Sequence, residues 1–90
     1  MLESKIEKAL YDKVKKCGGL ALKLNTMTMN GMPDRLVLLP LGRAVFVELK
    51  RKGATPRRAQ LKRHELLRGL GFEVVMIDDA EQIGGLLDGV

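Results

Sequence analysis

Arg35-Leu36-Val37-Leu38-Leu39 and Ala44-Val45-Phe46-Val47-Glu48-Leu49-Lys50 are two apolar runs separated by Pro40-Leu41-Gly42-Arg43. Short runs rich in Val, Leu and Phe, bounded by Pro and Gly, read as strands, and so short a connection makes them an antiparallel hairpin. The second run is apolar until it ends in Glu48-Leu49-Lys50. Side chains of a strand alternate between faces, so Glu48 and Lys50 project to the same side. Asp34 stands at the mouth of the neighbouring strand, roughly 5 Å away across the hairpin.

Working outward, Ile6, Ala9, Leu10, Val14 and Cys17 recur at helical spacing from Glu3 to about Cys17, where Gly18-Gly19 stops the helix. Leu20 to Leu24 alternates as a short strand, and Asn25 to Pro33 is a polar loop with Gly31 and Pro33. Beyond the hairpin, Thr55 is the expected N-cap and Pro56 the first residue of a helix ending near Leu70. Phe72 to Ile77 reads as a buried strand and Asp79 to Leu87 as a short last helix. The order is αβββαβα: an α/β sandwich with a small mixed sheet flanked by helices, one domain over residues 1–90.

Composition narrows the function classes. The chain has 90 residues, 16 Lys and Arg against 11 Asp and Glu, and a net charge of +5. That balance favours a polyanion, because basic groups on phosphates release condensed counterions. Aromatic residues make up only 3%, which argues against a stacking platform for single strands. One cysteine and one histidine exclude an internal disulfide and a Cys/His zinc site within one chain. The N-terminus lacks the apolar segment of a signal peptide, and no run is long enough to span a membrane, so the expected location is intracellular.

The chemistry is expected where Asp34, Glu48 and Lys50 converge. Two carboxylates, with the Leu49 main-chain carbonyl between them, suit Mg²⁺ or Mn²⁺ rather than zinc. A hard dication there polarises a phosphate and lowers the pKa of bound water, and Lys50 orients that water or stabilises the phosphoryl oxygens. Alone, a Glu-X-Lys tripeptide is commonly a solvated strand end with a weak ion pair. Asp34 and Glu-Leu-Lys together, on adjacent strands, are far more specific. The alternative is a basic module that docks on nucleic acid without cutting it. Such a surface gains nothing from two carboxylates facing phosphates. A subunit with a decayed site would not keep all three groups.

Gly31-Met32-Pro33-Asp34-Arg35, then Val45-Phe46-Val47-Glu48-Leu49-Lys50, then Gln60 resemble the PD-(D/E)XK nuclease superfamily. Within it the chain is similar to the stand-alone VRR-NUC domains of bacteriophages and of the Fanconi-associated nuclease. Glu3, Gly18-Gly19, Lys23 and Leu70-Gly71-Phe72 extend the likeness over nearly the whole chain. The resemblance implies a restriction-endonuclease-like fold and a Mg²⁺-dependent endonuclease on branched DNA, for stand-alone members a homodimeric Holliday-junction resolvase, here one that would be phage-encoded and act in the host cell. It implies Asp34 and Glu48 as metal ligands, Lys50 as the catalytic lysine and Gln60 near the site. It also implies a glutamate on the first helix, for which Glu3 and Glu7 compete. On a helical wheel Glu3 falls within the apolar stripe and Glu7 towards its polar edge, which favours Glu3. Two features depart from the family pattern: Thr26 to Asn30 replaces a basic segment, and Pro56-Arg57-Arg58 is the nearest substitute for the Val-Arg-Arg triplet.

Arg51, Lys52, Arg57, Arg58, Lys62 and Arg63 cluster after the lysine motif. A charge run is usually a solvated face, but beside a nuclease site it tracks the DNA backbone. Arg57 and Arg58, at a helix N-terminus, are the best phosphate contacts, joined by Lys23, Arg35, Arg51 and Lys52. Lys23 faces either the site or solvent. His64 reads as a surface or packing histidine that no motif recruits. Cys17 reads as a small core residue, and Met27, Met29 and Met32 as packing or dimer contacts.

Overall fold

The computed structural model describes residues 2–25 and 30–89. The elements are α1 (Glu3–Lys16), β1 (Leu20–Lys23), β2 (Arg35–Leu39), β3 (Arg43–Leu49), α2 (Arg58–Gly69), β4 (Glu73–Ile77) and α3 (Gln82–Leu86), with a 3-10 turn at Pro40–Gly42. The sheet order is β1-β2-β3-β4. β1, β2 and β3 pair antiparallel, and β4 joins β3 in parallel after the α2 crossover. The expected αβββαβα order and mixed sheet are therefore the observed ones.

Alternation explains the layers. On β2 and β3 the odd-numbered Val37, Leu39, Val45, Val47 and Leu49 point to one face, where Ile6, Leu10 and Val14 of α1 and Ile83 and Leu86 of α3 meet them. Ile6, Leu10 and Val14 stand one turn apart, so one stripe of α1 is buried. Each fully buried aliphatic side chain there contributes about 2 kcal/mol. Cys17 packs against this core, as expected. Gly19 lets the chain turn tightly into β1: a β-carbon there would lie 2.6 Å from the Leu38 carbonyl oxygen.

On the even-numbered face α2 packs on β4 and buries Gln60, His64 and Leu67, while Leu20, Leu22 and Leu38 at the β1–β2 side stay exposed. Arg43 clamps the starts of β3 and β4 by donating twice to the Glu73 carboxylate, at 2.9 and 2.8 Å, and fixes α3 through the Leu86 carbonyl at 2.7 Å.

β1 ends at Lys23 and β3 runs Arg43–Leu49, each within one residue of the expectation, and three further boundaries differ for identifiable reasons. α2 begins at Arg58 with Arg57 as N-cap, and neither Thr55 nor Pro56 opens it. The Gln60 Oε1 takes the Arg57 N–H at 2.8 Å, so a side chain inside the helix does the capping. β4 starts one residue late because the Phe72 N–H is spent on the Leu67 carbonyl at the end of α2. α3 is shortened because the Gln82 Oε1 accepts the N–H groups of Asp78 and Asp79, forming a capped turn ahead of it. Met27 and Met29 lie outside the described residues, with most of the Thr26–Asn30 segment.

Candidate active site

The hairpin register sets the site. Arg35 pairs with Val47, and one step outward on the same ladder Asp34 comes opposite Glu48. The strand alternation gives both side chains the even-numbered face. Asp34 is tied in place at three atoms: its carbonyl accepts the Leu24 N–H at 2.9 Å, Oδ1 the Leu49 N–H at 3.4 Å, and Oδ2 pairs with Arg35 at 3.0 Å. The Lys50 N–H donates to the Ile77 carbonyl at 2.9 Å. That bond prolongs the β3–β4 ladder and keeps Lys50 on the side of Glu48.

Glu48 is 4% exposed. Its Oε1 is buried without a hydrogen-bond partner. Burial, then the Asp34 carboxylate, push the Glu48 acid up to about 7; Lys50 acts against this, Glu3 adds to it, and Arg57 opposes it. Asp34, Lys50, Glu3 and Arg57 thus all act on one buried carboxylate. From α2, His64 places its Nε2 3.7 Å from Glu48 Oε1. That imidazole is held below its ordinary pKa by burial, then by Arg68 and Lys50.

Two repelling carboxylates, one of them buried, are a donor set that a hard cation would complete. Among the described residues no three Asp, Glu, His or Cys side chains gather as a ready metal cluster. The oxygen donors that meet there are the carboxylates of Asp34 and Glu48, while Glu3 acts on Glu48 through its charge.

No family model matches the chain. A phage protein, "Putative nuclease p44" of Acyrthosiphon pisum secondary endosymbiont phage 1, is 43% identical over 79 residues, which cover 88% of this chain and 85% of that protein. A solved VRR_NUC domain, 33% identical, matches with a TM-score of 0.88 over 97% of this chain and 95% of its own. The chain belongs to the VRR_NUC family. A second solved VRR_NUC domain protein, 15% identical, shares the fold at a TM-score of 0.75, over 97% of this chain and 85% of that one.

In this VRR_NUC chain the other expected residues fall in different surroundings. Glu7 is bonded to the Arg35 guanidinium, so of the two competing glutamates Glu3 is the one whose charge reaches Glu48. Arg35, expected to touch DNA, is corrected: it is 3% exposed and held by Glu7 and Asp34. Its odd number puts it on the α1 face, a signal that the alternation of β2 already carried. Lys52 is exposed but donates to Asp79 at 2.7 Å. Lys23, Arg51, Arg57 and Arg58 are exposed, and Arg51 lines a shallow cleft with Lys5 and Lys52. Gln60 lies on the first turn of α2, as expected, with Oε1 engaged in capping.

Of the two readings of His64, surface or packing, burial selects packing: the ring is 3% exposed and faces Glu48. Its signal was the four-residue spacing from Gln60, which stacks both on one side of α2. No helix among the described residues is long and apolar enough to cross a membrane.

Proposed function

We propose that the chain is a metal-dependent endodeoxyribonuclease that hydrolyses phosphodiester bonds, using Mg²⁺ with Mn²⁺ as a substitute. It acts on branched DNA such as a four-way junction, as a homodimer. The observation that carries this reading is the buried Glu48 carboxylate beside the Asp34 carboxylate, on a sheet rimmed by Lys50 and Arg57. A surface that only bound phosphates would not set two carboxylates there. Family membership and the name of the phage relative support nuclease chemistry.

In this reading Asp34, Glu48 and the Leu49 carbonyl hold the cation, with Glu3 adding negative charge beside them. The bound ion supplies Lewis-acid polarisation of the scissile phosphate. Lys50 places its ammonium against the charge that develops on the phosphoryl oxygens, or orients the attacking water. Arg57 and Arg58, at the start of α2, hold neighbouring phosphates where the helix dipole also favours anions. Gln60 fixes that helix start. Backbone contacts of this kind position DNA without reading sequence, which suits selection by DNA shape.

Two symmetric cuts across a junction call for two identical sites related by a two-fold axis. The exposed Leu20, Leu22 and Leu38, on one face of β1 and β2, supply apolar surface for such pairing.

The test is nicking of a labelled four-way junction, and of a duplex of the same sequence, with Mg²⁺. Cleavage of the junction, lost in Asp34→Ala and Lys50→Ala, is expected. Full activity in either variant, or binding without cleavage in every divalent metal, would overturn the reading.

A further inference from the structure

Among the described residues, the buried side-chain polar atoms left without a partner are Arg35 Nε, Glu48 Oε1 and His64 Nε2. The last two face each other at 3.7 Å across the seam between β3 and α2. Buried polar groups are almost always paired, so two complementary orphans in one place need an account. Neither has another use in the fold. Glu48 is the penultimate residue of β3, whose apolar odd-numbered side chains already fill the core on the other face. His64 sits between Gln60, which caps α2, and Leu67, which packs the far end.

We propose that His64 is a positioning residue: its Nε2–H binds the inner oxygen of Glu48 and fixes the rotamer of that carboxylate for metal binding. A neutral imidazole has one N–H to give, and a carboxylate oxygen is its natural acceptor. The separation is a few tenths of an ångström beyond a hydrogen bond, and drawing Glu48 and α2 together by that amount closes it. Such a bond occupies one oxygen and leaves the other free of it, so the carboxylate presents a single defined donor. Groups that hold a metal's ligands in this way typically govern affinity by one to two orders of magnitude. His64 touches neither DNA nor cation in this arrangement. It is the link through which the seating of α2, and so of Arg57 and Arg58, is coupled to Glu48.

The inference rests on the metal reading of Asp34 and Glu48, and the experiment separates the two. Binding of Mn²⁺ without DNA is measured by calorimetry for the unaltered chain, His64→Phe and His64→Gln. His64→Phe is expected to bind about 10- to 100-fold more weakly, with His64→Gln, which keeps an N–H donor, recovering part of the loss. Unaltered affinity in a folded His64→Phe overturns the positioning role and leaves the nuclease reading standing. No Mn²⁺ binding by the unaltered chain overturns both. Should His64→Phe fail to fold, ¹⁵N NMR of the unaltered imidazole decides: a proton on Nε2 that responds to Glu48→Gln supports the bond, and the Nδ1–H tautomer rejects it.

Discussion

Gly31 lies so close to Ala59 that a β-carbon at residue 31 would stand 2.2 Å from the Ala59 carbonyl oxygen. Its φ of +82° also belongs to the left-handed region that favours glycine. The loop entering β2 and the first turn of α2 therefore touch main chain to main chain. Arg63 adds a bond from Nε to the Asn30 carbonyl at 3.4 Å. This contact brings Asp34, three residues after Gly31, to the helix that carries Gln60 and His64. The glycine of the Gly-Met-Pro-Asp motif is thus a spacer between two parts of the site.

Gly31→Ala should cost at least about 2 kcal/mol, from the left-handed backbone and from the displacement of α2. Urea denaturation measures the loss, and nicking activity should fall with it because Asp34 and α2 separate. An unchanged midpoint would show that the close approach is dispensable.

The two glutamates of α1 should separate into a structural and a functional one. Glu7 neutralises Arg35, a guanidinium buried on the α1 face. Removing one partner strands the other's charge, a loss lessened here because Glu7 is itself part-exposed and Asp34 remains. Glu7→Ala should lower stability by about 1–3 kcal/mol. Glu3→Ala, at an exposed position, should stay within about 0.5 kcal/mol of the parent in urea but cleave more slowly. The reverse pattern would reassign the two residues.

These assignments mark where the sequence was sufficient. Element order and the meeting of Asp34 with Glu48 follow from apolar runs, short turns and strand alternation, which local chemistry dictates. Arg35 was misjudged because a basic residue next to a nuclease motif suggests DNA, whereas its parity with Val37 and Leu39 directs it inward. That His64 packs beside Glu48 is not legible, because nothing local says which strand α2 will meet. Thr55-Pro56 is a strong helix-opening signal, yet Gln60, three residues after Arg57, supplies the capping oxygen and sets the N-cap two residues later than Thr55.

Glu48 makes the metal-free protein sensitive to pH in an unusual direction. Its acid lies at about 7 in the fold, against an ordinary value of 4.5, because of burial and then Asp34. The folded chain therefore holds a proton that the unfolded chain has lost between those values. The contribution of Glu48 to stability is fully present below about 4.5 and is lost as pH rises through about 7, by on the order of 3 kcal/mol. In EDTA, urea midpoints at a series of pH values should show this decline, and Glu48→Gln should flatten it. Added Mg²⁺ should restore stability above pH 7 by binding the folded form. A parent profile as flat as that of Glu48→Gln would mean the carboxylate is not penalised.

The basic residues around the site should divide according to whether their charge is already neutralised. Arg57 is exposed at the start of α2, and its charge reaches Glu48. Lys52, five residues earlier, is exposed too, but its ammonium is bonded to Asp79, and that pairing raises the lysine's pKa and lowers the aspartate's. A phosphate would have to displace Asp79 to use Lys52, whereas Arg57 needs no such exchange. Arg57→Ala should weaken junction binding in Ca²⁺ and reduce the slope of log affinity against log salt by about 1. Lys52→Ala should leave the slope nearly unchanged, because the ion pair already neutralises that charge. Fluorescence anisotropy across a salt series measures both, and a full unit lost on Lys52→Ala would show that Asp79 gives way when DNA arrives.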